Sequence, residues 1–141
     1  MKEWLRTACC GIVLWGLAGS LACAPAIRTP PPPSTPVSIS TFQSVAGKWA
    51  GIMRTTPRSR EDDWITVTIR EDGAYHFEAV RPIGIMQGQG TFTITDGKLR
   101  AETERGWGEA TLYEEGGRRM LKIIGATKDG VQYSAELAPT K

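Results

Sequence analysis

The feature that most constrains this chain is its punctuation. Downstream of residue 64, apolar and polar side chains alternate in runs cut by glycine-bearing turns: Glu71-Asp72-Gly73, Asp96-Gly97, Gly116-Gly117 and Asp129-Gly130. Glycine supplies the positive φ of a tight hairpin, and a period of two buries one face of each strand. Ile65, Val67 and Ile69 alternate with Trp64, Thr66, Thr68 and Arg70; Tyr75, Phe77 and Ala79 alternate with His76 and Glu78. Phe92 and Ile94 stand between threonines, and Val131, Tyr133, Ala135 and Leu137 alternate with Gln132, Ser134 and Glu136. No window sustains a helical period over three turns. The expectation is an all-β domain of eight antiparallel strands, near 48–54, 64–70, 74–80, 89–95, 98–103, 107–114, 118–127 and 131–137. Such strands can close into an up-and-down barrel that leaves no edge, although an open meander or a sandwich satisfies the same pattern.

The N-terminus reads differently. Lys2 and Arg6 precede a run of apolar and small residues to position 22, the layout of a secretory signal and too short for a spanning helix. A cut after Ala24 would leave Pro25 as the next residue, a poor site for an ordinary peptidase. Ser20-Leu21-Ala22-Cys23 resembles the lipobox of bacterial lipoproteins, with Ser20 where leucine is usual. The resemblance implies that Cys23 becomes the lipidated first residue of the mature chain, carrying acyl chains such as palmitate. Ala24 in place of aspartate implies the outer membrane, with the domain facing the periplasm or the cell surface. Residues 24–41, rich in Pro, Ser and Thr, are expected to form an extended tether, and 42–141 the β domain.

Composition closes off several chemistries. All three cysteines lie within the first 23 residues and His76 is the one histidine, so the domain has no disulfide pair and no Cys/His zinc set. Without residues 1–22, fifteen basic residues face fourteen acidic ones, which gives no electrostatic case for nucleic acid. His76 alternates with two aromatics and is expected at the surface. Glu61-Asp62-Asp63 lacks the alternating ligands and glycine of a calcium loop, and no helix follows Gly84–Gly90 to receive a phosphate. No nucleophile, base and orienting group can be placed together, so an enzyme is not expected and no cofactor is implied.

Gly47-Lys48-Trp49, followed by Gly51, resembles the Gly-x-Trp motif that opens the first strand of lipocalins and their avidin-like relatives. The resemblance implies an eight-stranded barrel with Trp49 across its closed end, packed against the last strand. Trp49 then either plugs the core or walls a ligand pocket.

Strand parity places the turns at 71–73, 96–97 and 115–117 beside the C-terminus, and the connections at 54–63, 81–88, 103–106 and 128–130 at the opposite rim. Trp64, Arg81, Ile83, Ile85, Met86 and Trp107 gather at that rim with Arg54, Arg58, Arg60 and Arg105, as candidate ligand-binding residues. The competing reading has Ile83, Ile85 and Met86 folding inward as a stopper while the arginines pair with Glu61, Asp62, Asp63, Glu102 and Glu104. The functional expectation is a lipid-anchored, monomeric binding or interaction module for a small apolar ligand or an envelope protein. The alternatives are a structural envelope protein with a filled barrel and a periplasmic enzyme inhibitor.

Overall fold

The computed structural model describes residues 34–57 and 62–141. Ten strands form one antiparallel sheet: β1 Thr35–Val37, β2 Gly47–Thr56, β3 Asp63–Ile69, β4 Ala74–Arg81, β5 Gly84–Thr91, β6 Thr93–Thr95, β7 Lys98–Thr103, β8 Gly106–Glu115, β9 Arg118–Thr127 and β10 Gln132–Thr140. The pairing order is β5-β4-β3-β2-β10-β9-β8-β7-β6, and β1 adds to β8. Because β5 and β6 stand at the two ends of that order yet are separated in the chain by Phe92 alone, the sheet is curled into a half-barrel.

The alternation read from the sequence is what drives the curl. Trp49 and Met53 of β2, Ile65, Val67 and Ile69 of β3, Leu99 of β7, Leu112 of β8, Leu121 of β9 and Leu137 of β10 all point to the concave side, where they form one buried cluster. Phe77, Met86 and Tyr133 pack against it. Asp96 and Gly97 have φ of 53° and 74°, so the Asp-Gly pair takes the left-handed conformation that a tight hairpin needs between β6 and β7.

Two differences from the sequence expectation have clear physical causes. The strand expected at 89–95 starts at Gly84 and is divided at Phe92, because Phe92 is buried in the core and its N–H turns to the carbonyl of Gly73 at 2.9 Å. The connection expected at 81–88 is instead a two-residue turn, Pro82-Ile83, with Arg81 opposite Gly84. Glycines at 84, 88 and 90 hide a strand from any reading that relies on side-chain periodicity.

The second difference lies upstream. Residues 35–39, expected as the end of the tether, belong to the folded domain, and 35–37 to its sheet. Thr35, Pro36 and Val37 sit opposite Glu114, Tyr113 and Leu112, and the N–H of Ile39 donates to the carbonyl of Gly97 at 2.8 Å. The chain then crosses the end carrying the short turns. It buries Ile39 and Val45 there and passes through a single 3-10 turn, Phe42–Ser44, before entering β2. Pro36 tolerates this place because β1 lies on an edge, where one backbone N–H can be spared. Cys23 and the expected signal and lipobox residues lie outside the described residues, as do Arg58, Arg60 and Glu61.

Candidate functional site: an apolar belt around one end of the sheet

Eight large apolar side chains are exposed among the described residues: Ile52, Trp64, Val80, Ile83, Ile85, Trp107, Ile124 and Val131. All eight lie in the half of the sheet nearest the turns at 82–83, 104–105 and 128–131. The half closed by residues 38–46 has none. Four of them form one unbroken row on the convex face. Ile52 is the register partner of Trp64, Trp64 of Val80, and Val80 of Ile85, across β2, β3, β4 and β5. Ile83, 93% exposed at the tip of the β4–β5 turn, extends the row. Cross-strand neighbours on one face lie near 5 Å apart, so this row is continuous apolar surface rather than scattered exposed residues.

The six residues expected at this rim separate into three groups. Trp64, Ile83 and Ile85 come together in the row. Trp107 lies on β8 in a second patch, where its register partner Ala126 is two positions from Ile124 on the same face of β9. Met86 and Arg81 turn to the concave side. Met86 packs against the core, while Arg81 donates from Nε to Asp63 Oδ2 at 2.9 Å. The stopper arrangement is present only in part, because Arg54 also pairs with Asp62 at 3.3 Å while Ile83 and Ile85 stay outside. Ile52 and Val80 join the row without being among the sequence candidates, although each stands at an outward position of an alternating strand and yet is apolar.

The interior is occupied by side chains. The Tyr75 ring stacks on Phe92 with centroids 4.3 Å apart and lies against Gly90, while the Phe77 ring lies against Gly88. Across the sheet, Tyr133 covers Gly125 and Gly108, and its hydroxyl donates to the carbonyl of Trp107 at 2.8 Å. Burial raises the ionisation of both tyrosines above its ordinary value, because the phenolate would lose its water. Trp49 is 2% exposed, donates from Nε1 to the carbonyl of Val45 at 2.8 Å, and stands opposite Pro139 of the last strand. Its ring is part of the buried core, and the Arg119 guanidinium sits 5.9 Å above it.

The polar candidates stay apart. His76 is exposed between Thr68 and Gln89. Asp63 is buried and answered by Arg81, and no group of three potential metal ligands occurs among the described residues. Among the described residues, one open hollow lies beside Ile69, Arg70, Glu71 and Asp72 and another between Thr68, His76 and Gln89. Comparison with family models, with curated proteins and with solved structures gives no match for this chain.

Proposed function

We propose that this chain is a lipid-anchored protein of a bacterial outer membrane whose β domain works as a non-enzymatic interaction module, with the Ile52–Trp64–Val80–Ile85 row as its contact surface. The observation that carries the reading is the confinement of every exposed large apolar side chain to one half of the described sheet. A monomer has no use for a continuous apolar row in water, and aromatic anchors rimmed by polar groups are what partner surfaces present. Within the described residues, Thr35 stands opposite Glu114, at the end of the sheet away from the row.

The fold side of the proposal is a variant of the eight-stranded lipocalin-like barrel in which β5 and β6 are one strand bent at Phe92. Trp49 opposite Pro139 supports it, as does the single-residue link between the two ends of the sheet. Within this reading an envelope protein is favoured over an enclosed small ligand, because Ile65, Val67, Phe92 and Leu121 meet in the buried core with Phe77 packed on them.

The test is made in a bacterial host. Cys23→Ala should abolish labelling by radioactive palmitate, and label retained would remove the anchor from the proposal. Photocrosslinking from position 66, on the convex face beside the row, should give a defined adduct that Trp64→Ser with Ile85→Ser eliminates while thermal stability is held. Adducts indifferent to both substitutions would remove the row as a contact surface.

A further inference from the structure

β5 has no ladder partner beyond β4, although part of it comes close to β7 of the same chain. It is one terminus of the pairing order, and among strands of six residues or more it is the one with no buried residue. Arg81 and Gly84 flank a two-residue turn and so form a hydrogen-bonded pair. The alternation of an antiparallel ladder then aims the N–H and C=O groups of Ile85, Gln87, Gln89 and Thr91 away from β4. Proteins usually blunt such an edge with charge, proline or brevity. Gly84–Thr91 reads GIMQGQGT, eight residues with no charge and no proline, whereas β6 at the other terminus is only three residues long.

We infer that β5 is a self-association edge: two copies of this chain pair through it, antiparallel, about a two-fold axis at Gly88. The pattern is self-complementary. With the axis there, Ile85 faces Thr91 of the second copy and Gln87 faces its Gln89, so each outward residue meets an outward residue and about eight backbone hydrogen bonds form. On the concave side Met86 meets Gly90 and Gly88 meets Gly88, so no bulky side chains collide. The glutamines supply both amide donors and acceptors, which lets identical strands satisfy each other. A charged peptide partner would find no counter-charge on this edge. Five of the chain's own residues 24–33 are prolines without an N–H, which leaves too short a run of donors to pair along the whole of β5. This self-pairing departs from the monomeric expectation, and it uses the open backbone of β5 rather than the convex apolar row, with which it shares Ile85 alone.

Sedimentation velocity on the full chain in non-ionic detergent, across a wide concentration range, tests the inference. A concentration-dependent dimer is expected, and Gln87→Pro should weaken it by about 10-fold or more, because proline removes an outward N–H while sparing the ladder to β4. Should Gln87→Pro lose its β circular dichroism, Gln87→Lys with Gln89→Lys places like charges opposite each other and serves the same purpose. Hydrogen exchange should show Ile85, Gln87 and Gln89 amides protected in the dimer and open in dilute solution. A chain that stays monomeric at every concentration overturns the inference. So does a dimer that both edge variants leave intact but Trp64→Ser dissolves, since that dimer would use the apolar row.

Discussion

Arg81 reaches from the last position of β4 to the buried carboxylate of Asp63, Nε to Oδ2 at 2.9 Å, and so joins the rim ends of β3 and β4. Asp63 is 4% exposed, the one buried charged residue among those described. A carboxylate there is tolerated because its cation is beside it and still 30% exposed to water.

Arg81→Ala should therefore destabilise the domain by about 1–3 kcal/mol, the cost of a charge-assisted hydrogen bond lost at a buried acceptor. Urea unfolding followed by circular dichroism measures it. Asp63→Asn combined with Arg81→Ala should recover part of the loss, since the neutral amide no longer needs a cation. An Arg81→Ala variant as stable as the parent would show that water replaces the guanidinium freely.

Glycines opposite aromatic rings set up a second comparison. A Cβ at Gly125 would collide both with the Tyr133 ring and with the backbone carbonyl of Trp107, while a Cβ at Gly88 would meet the Phe77 ring alone. A ring on the strand next to an open edge can swing aside; a carbonyl fixed in a ladder cannot. Gly125→Ala should cost about 1–3 kcal/mol as an overpacked site, and Gly88→Ala clearly less. Thermal melts of the two variants side by side decide it, and equal losses would mean that the edge of the sheet is as rigid as its centre.

These positions also explain what is legible in the sequence. Strands β2 to β4 and β7 to β10 follow from alternation and Gly-bearing turns, because their inward residues are large and their outward ones mostly polar. β5 escapes because Gly88 and Gly90 occupy inward positions, with the space filled by Phe77 and Tyr75 from the neighbouring strand. Volume supplied across a ladder leaves no trace in the local pattern. β1 escapes for another reason: Ser, Thr and Pro dominate its neighbourhood, and only Val37 and Ile39 record that the segment packs on the core. At the rim, composition identifies apolar residues near arginines, yet only register separates Trp64 and Ile85, which share a row, from Met86, which turns inward.

Stability should fall at both extremes of pH, through different groups. Glu109 accepts from Lys98 Nζ at 2.7 Å and from Arg100 Nε at 3.1 Å. The hydrogen bond from Lys98 chiefly holds its carboxyl below the ordinary range, burial opposing. A depressed folded value means that the contribution is complete above the ordinary carboxylate range and is lost as pH falls through the folded value. Tyr133 and Tyr75 are shifted the other way, mainly by burial, so their contribution is complete below the ordinary phenol value and is lost as pH rises through the higher folded values. Glu109→Gln should flatten the acid limb of a plot of melting temperature against pH and leave the alkaline limb unchanged. Tyr133→Phe, which keeps the ring over Gly125, should flatten the alkaline limb only. Identical profiles for parent and variants would place the acid and alkaline losses in other groups.

The folded domain begins ahead of Phe42. Val37 pairs with Leu112, Ile39 is 1% exposed, and the Ile39 N–H closes on Gly97 in the β6–β7 turn. The segment thereby links β8 to the short hairpin that carries the chain on from Phe92, a region otherwise held by β6, which is only three residues long. A chain starting at Phe42 would retain the 3-10 turn and Trp49 but open the floor of the core beneath Leu99 and Leu112. Ile39→Ala in the full chain should cost about 2–5 kcal/mol, as for other buried aliphatic truncations. A chain starting at Phe42 should lose at least as much relative to one starting at Ser34, with amide protection falling first in β6 and β7. Equal unfolding midpoints for the two truncations would mean that β1 merely rests on β8 and that the core is complete without it.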